Sequence, residues 1–302
     1  MARRSSILRS LARPALLTAL AGLGACASGP SCDLSIAARS LEWRPCQGQS
    51  RTVEQVEVLA DSGIVRVISG DELSARVVVE ASGQDRVDVL AGVRLTGRLR
   101  CDSVDGGAAR LAVESDSWAP LAVRIELVLP PELRLTVRGV ALDIDYRASA
   151  REVRLETESG RLSVRGVAAS CELLSSKGGI SVAGRFDDLR VATGSGALQV
   201  DLKDLDPSVA SVDLRSVCGP IGLRGDPALL QSIRFETESG RVRGDGALRF
   251  HGRRGAPGRR GQVYDTSTGS SRLSVRSQTA DLELIAEAAP LMGGSAIVAG
   301  LE

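Results

Sequence analysis

Residues 153–164 read Val153-Arg154-Leu155-Glu156-Thr157-Glu158-Ser159-Gly160-Arg161-Leu162-Ser163-Val164, an apolar and polar alternation that breaks at Ser159-Gly160 and then resumes. Moved by 18 residues, the template returns as Cys171, Leu173, Ser175, Lys177-Gly178, Ile180 and Val182. Another 18 gives Leu189, Val191, Thr193, Ser195-Gly196, Leu198 and Val200. After intervals of 23 and 21 come Val212, Leu214, Ser216, Cys218-Gly219, Ile221 and Leu223, then Ile233, Phe235, Thr237, Ser239-Gly240 and Val242. Glu156-Thr157-Glu158-Ser159-Gly160-Arg161 is repeated unchanged at residues 236–241.

Working outward, Leu133, Leu135, Val137, Gly139-Val140, Leu142 and Ile144 fit the template 20 residues before its centre. Val56, Val58, Ala60, Ser62-Gly63, Val65 and Val67 fit it much earlier, and Tyr264, Thr266, Thr268, Ser270-Ser271, Leu273 and Val275 fit it after a long interval. A two-strand unit of this kind has one apolar face per strand and cannot bury it alone, so neighbouring units must stack and share a core. Thr, Ser or Cys before each corner suits a narrowing interior where a hydroxyl bonds the backbone. Glycine at the corner serves either positive φ or close approach of the next unit. The expected fold is therefore all-β, a β-solenoid or β-roll of about seven or more stacked two-strand coils over residues 55–285.

Composition agrees with regular layers. Apolar residues make up 43% of the 302-residue chain and aromatics only 2%, so Val, Leu, Ile and Ala must fill the core. Four arginines (Arg3, Arg4, Arg9, Arg13), an apolar run from Pro14 to Leu23 and small residues then read as a secretory signal over residues 1–25. About ten apolar residues are too few to span a ~30 Å hydrocarbon core. Leu23-Gly24-Ala25-Cys26 reads as a lipobox, which makes Cys26 the acceptor of a diacylglycerol and the membrane a partner through an N-terminal lipid. Without the leader the chain carries 34 basic and 37 acidic residues, too balanced for nonspecific nucleic-acid binding.

Lipidation leaves Cys32, Cys46, Cys101, Cys171 and Cys218. Cys32 and Cys46 lie together in the tether, residues 26–54, and a bridge closing about 15 residues there is worth on the order of 3 kcal/mol. Cys171 and Cys218, two units apart in the first and fourth inward columns, read as buried small apolar residues that do not bridge. With one histidine and no C-x-x-C spacing, the sequence offers no zinc constellation and implies no cofactor.

The alternation through Val123, Ile125 and Leu127, the kink at Leu129-Pro130-Pro131-Glu132, and the tandem units ending in Ser-Gly resemble the bacterial "putative adhesin" β-strand-repeat family, of the head-domain or autotransporter-adhesin type. The resemblance covers roughly residues 50–285. It implies a β-solenoid in the cell envelope and no catalytic residues. The chain departs from it in an insertion around residues 245–262 and in its paucity of Asn and aromatics.

That insertion, read as a loop because of its Gly and Pro content, carries Arg249, Arg253, Arg254, Arg259 and Arg260 as an anion-binding candidate. Its partners would be an acidic glycan, a lipid headgroup or an envelope protein. Glu156/Glu158 and Glu236/Glu238 should face solvent as surface charge pairs with Arg161 and Arg241, and are not a converging catalytic carboxylate pair. The expected function is a non-enzymatic envelope lipoprotein presenting a rigid repeat surface to envelope polymers or proteins. The competing readings are a polysaccharide-acting β-helical enzyme and a purely structural assembly module. The absence of Asp after Cys26 points to an outer membrane where the host has one, and residues 286–302 read as a tail or cap.

Overall fold

The computed structural model describes residues 37–43, 53–81, 90, 93–100, 107–115, 121–204, 211–225, 233–244, 251–254, 262–265 and 273–286. Its strands, numbered β1 to β21 in chain order, connect into one large mixed sheet that is not closed. The fold is all-β, and its centre consists of two parallel ladders.

The first ladder holds the strand that precedes each corner. It runs β6 (Gly107–Ser115), β2 (Val53–Ala60), β8 (Arg134–Gly139), β10 (Ser149–Thr157), the second half of β11 (Leu162–Ser175), the second half of β12 (Ile180–Thr193), β14 (Ser211–Ser216), β20 (Leu273–Ser277) and β16 (Ile233–Thr237). The second ladder holds the strand after the corner. It runs β7 (Leu121–Leu129), β3 (Ser62–Ser69), β9 (Ala141–Arg147), the first parts of β11 and β12, β13 (Leu198–Asp201), β15 (Ile221–Gly225), β21 (Leu282–Ala286) and β17 (Val242–Gly244).

Period two turns these registers into straight inner rows. Leu111, Val58, Val137, Leu155, Leu173, Val191, Leu214, Val275 and Phe235 succeed one another across the first ladder, each no more than 1% exposed. Inward residues of both ladders, such as Leu173 and Ile180, belong to a single hydrophobic cluster. Burying each aliphatic side chain contributes about 1.5–3 kcal/mol, which makes this cluster the main drive for folding.

The third inward row is polar through six units: Thr157, Ser175, Thr193, Ser216, Ser277 and Thr237. Its hydroxyls close the corners. Gly160, Gly178, Gly196 and Gly240 donate their N–H to the hydroxyl three residues before, at 3.2, 2.9, 3.1 and 2.8 Å. Ala280 does the same to Ser277 at 2.7 Å, while Ser216 donates its hydroxyl to the Gly219 carbonyl at 2.7 Å. The corner glycines answer a contact rather than a torsion. A Cβ on Gly178 would overlap the Gly160 carbonyl oxygen, and one on Gly196 would overlap that of Gly178. Positive φ is added to such a contact at Gly63, the corner glycine of the earliest unit, and at Gly184 within β12.

The order of units at the two ends departs from chain order. β2 and β3 lie between β6/β7 and β8/β9, so the earliest unit is second from its end. β20 and β21 lie between β14/β15 and β16/β17, so the last unit is second from the other end. Antiparallel strands complete each end. β4 (Ser74–Ala81) pairs with β7 and carries β1 (Ala37–Trp43), β5 (Val93–Arg100) pairs with β6, and β19 (Gln262–Asp265) pairs with β16 and carries β18 (His251–Arg254). The Pro130-Pro131 kink is where the chain leaves β7 and skips one unit to reach β8.

Three sequence expectations are corrected. The unit before the centre is offset by 18 residues, not 20: Leu135 faces Val153, Gly139 faces Thr157, and Ile144 and Tyr146 face Leu162 and Val164. A two-residue slip keeps the same side chains inward, so alternation alone cannot exclude it. Leu273 and Val275 begin the last unit rather than end it, with Leu282 and Leu284 after its corner. The Arg-rich insertion includes β18 and opens β19, because backbone groups beside the edge of β16 pair despite the neighbouring glycines.

Cysteine placement also divides. Cys171 is buried, and desolvation pushes its thiol pKa up, so it is inert packing. Cys218 is exposed, against the expectation of a buried column, because the residue before each corner glycine points outward like Lys177 and Ser195.

Candidate functional site

The inner rows are filled by packing, so binding chemistry has to come from outward positions. On the first ladder these are charged and paired across strands. Arg154 meets Glu172 at 3.0 Å, Arg138 meets Glu156 at 3.5 Å, and Arg110 meets Glu57 at 3.5 Å. Within strands, Arg190 meets Asp188 at 3.0 Å and Arg234 meets Glu236 at 2.7 Å. Exposed pairs of this kind contribute at most about 1 kcal/mol each, but they leave a self-neutralised face.

The two acidic copies fall on this paired surface. Glu156 faces Arg138 and Arg154, Glu158 faces Lys177 at 3.8 Å, and Glu236 faces Arg234. The expected partners Arg161 and Arg241 instead give their backbone N–H to Asp143 and Asp281, at 2.7 and 2.8 Å. β11, β12, β14 and β20 separate the copies, so their carboxylates do not converge.

The second ladder differs. One of its outward rows runs Arg66, Asp145, Ser163, Ser181, Gln199, Gly222, Glu283 and Arg243, uncharged through its four central positions. Beside it, Ala197, Pro220 and Asp281 follow one another, fixed by bonds from Leu198 N to Pro220 O (2.9 Å) and Ile221 N to Asp281 O (3.0 Å). Where these rows meet, a surface depression of about 300 Å³ opens over Gly222. Its floor is Gly222 with Pro220. Gln199 and Ala197 stand on one side, and Glu283, Asp281 and Arg243 on the other. Asp281 is anchored through both oxygens, by Arg241 N–H at 2.8 Å and the Arg243 guanidinium at 3.4 Å.

Gly222 is the residue that makes this hollow. The nearest atoms a Cβ there would meet are Gln199 Cγ and Leu198 O, both at 3.9 Å, which is ordinary contact. Neither packing nor φ calls for glycine, in contrast to the corner glycines. Sequence reading passed over this position. The signal was a glycine inside a strand, between inward Ile221 and Leu223, where the template has no corner.

Of the residues singled out in sequence, Cys26, Cys32, Cys46, Arg249, Arg259 and Arg260 lie outside the described residues, as does Cys101. Arg253 and Arg254 lie in β18, opposite Val263 and Gln262 of β19, at the outermost position of the first ladder.

No family model matches the sequence, and no curated protein matches it. Solved structures do align. A "putative cell adhesion protein" from Clostridium sporogenes covers 84% of this chain and 100% of its own at 10% identity, TM-score 0.34. A "putative adhesin" from Parabacteroides distasonis covers 83% and 98% at 11% identity, TM-score 0.39. A "putative lipid binding protein" from the same species covers 82% and 96% at 10% identity, TM-score 0.30.

Proposed function

We propose that this chain is a non-enzymatic envelope lipoprotein of adhesin type, whose two ladders are the faces of a β-solenoid that presents a rigid binding surface outside the cell. The observation that carries the reading is a difference between outward rows: the first ladder pairs its charges across strands, whereas the second has a run of four uncharged positions, Ser163, Ser181, Gln199 and Gly222, that opens into a hollow. Regular strand spacing of about 4.8 Å repeats these positions along the stack, which suits an extended polymer or a flat protein surface. A lipid on Cys26 would tether the solenoid to a membrane, the outer one where the host has two. The Arg-rich segment around β18 would add an anion-binding end through Arg249, Arg253, Arg254, Arg259 and Arg260.

The decisive experiment has two arms. Metabolic labelling with a fatty-acid analogue should mark the wild-type chain and not Cys26→Ser, and equal labelling would remove the tether. Purified lipidated chain in detergent should bind isolated envelope polysaccharide or envelope protein saturably, and absence of binding to both would overturn the adhesin reading. Serine in place of the five arginines should reduce recovery of acidic polymers.

A further inference from the structure

We infer that the hollow over Gly222 is a binding site for one sugar residue of a neutral, polyhydroxylated polymer. The inference rests on the surface-presenting reading above and names its ligand class.

Gly222 is a glycine that neither its packing nor its backbone torsion requires. A strand-interior glycine lacks a side chain to pack and costs chain entropy, so it marks a turn, a close backbone neighbour or the approach of a ligand. At Gly222 the first two are absent among the described residues: β15 continues between β13 and β21, and a Cβ would have room. What the missing side chain does create is space. The strands carrying Gln199 and Glu283 flank β15, so at about 4.8 Å per strand their backbones stand roughly 10 Å apart. A single pyranose ring fits that width with hydroxyls toward both walls.

The walls supply matching chemistry. Gln199 offers an amide donor and acceptor, and Glu283 a carboxylate that can accept from two neighbouring hydroxyls. Arg243 is held by Asp281 at 3.4 Å, which positions its remaining N–H groups as donors. Pro220 and Ala197, both exposed, give the C–H face of a ring an apolar seat. Charge selects among glycans. Two carboxylates against one guanidinium leave the walls net negative, so an acidic sugar is disfavoured here. This separates the hollow from the Arg-rich segment, whose chemistry favours anions.

The test is titration of the full lipidated chain in detergent with maltohexaose, cellohexaose, mannohexaose and chitohexaose, and with polygalacturonate as the acidic probe. At least one neutral hexasaccharide should bind, and Gly222→Val should weaken it more than tenfold. The fold should survive, since the added side chain points outward. Gln199→Ala and Glu283→Gln, which leave β15 untouched, should each weaken binding severalfold. Ser181→Val, on the same row two strands away, should not.

Failure to bind any neutral probe overturns the proposal. So does wild-type affinity in Gly222→Val and Gln199→Ala, or preference for polygalacturonate abolished by Gly222→Val. Retention of isolated envelope polymer by wild type and Gly222→Val alike would leave the adhesin reading standing while removing this site. Loss of envelope binding by wild type would remove the adhesin reading itself.

Discussion

The middle and the ends of this molecule solve the same burial problem differently. Between β8 and β14 each unit pairs with its neighbours in chain order, on an 18-residue repeat at its most regular, and from β10 onward each closes its corner with a buried hydroxyl and a glycine. Toward β6 and β16 the units are shuffled, and antiparallel strands take over the outermost positions of the first ladder. A stack of identical units is easily extended, and that is its hazard, since its last strand exposes unpaired backbone groups. Shuffling and antiparallel strands end the parallel repeat at β6, β7 and β16.

The largest test removes one end. A chain stopped at residue 272 loses β20 and β21, and with them the buried side chains of Leu273, Val275, Leu282 and Leu284, worth about 1.5–3 kcal/mol apiece. Because this unit sits between β14/β15 and β16/β17, amide exchange should become fast through residues 233–244 while residues 134–193 stay protected. Protected amides at residues 233–244 would mean that the unit is an appendage rather than an interior layer.

Within the middle, Gly178→Ala drives a Cβ into the Gly160 carbonyl and should cost about 4 kcal/mol or more in denaturant titration, near the top of the single-substitution range. Gly222→Ala, on the open face, should stay within about 1 kcal/mol of wild type. Equal costs at the two sites would erase the distinction between corner and hollow.

Alkaline pH probes the same buried middle. Desolvation pushes the thiol of Cys171 and, with a smaller contribution from Cys171 itself, the phenol of Tyr146 above their ordinary values of 9.0 and 10.0. The folded chain therefore holds protons that the unfolded chain releases, so stability is full below about pH 9 and falls as pH rises. The slope should approach about 1.4 kcal/mol per pH unit for each group. Cys171→Val should flatten the first part of that decline, measured by urea titration between pH 8 and 11.

Smaller still, Thr193→Val leaves the Gly196 amide without its 3.1 Å partner and should cost about 1–2 kcal/mol. Arg154→Ala breaks the 3.0 Å pair with Glu172 on the exposed face and should cost less than about 1 kcal/mol, shrinking further in salt.

Sequence reading succeeded wherever local chemistry determines geometry. Thr157 three residues before Gly160 already encodes a hydroxyl-closed corner, and Leu155, Leu173 and Val191 already share a phase. It failed where geometry is a choice between equivalent partners. Nothing in Val56 or Val58 tells β2 to sit between β6 and β8, since any apolar row offers the same inner face. Tyr264 was placed in a parallel unit because alternation carries no direction, and the structure pairs it antiparallel with Phe235. The hollow escaped because it is made by an omission, a side chain missing at Gly222, and its walls come from residues 21 to 61 positions away in the chain.

The position of β2 and β21 has a mechanical corollary. β2 is gripped on both flanks by β6 and β8, and β21 by β15 and β17, whereas β6 and β16, the outermost parallel strands of the first ladder, lie nearer the middle of the chain. A pull that reaches Val53 or Ala286 thus loads two rows of hydrogen bonds together along the strand, instead of unzipping a free border one bond at a time. That is the difference between a seam that ravels and one that is stitched in.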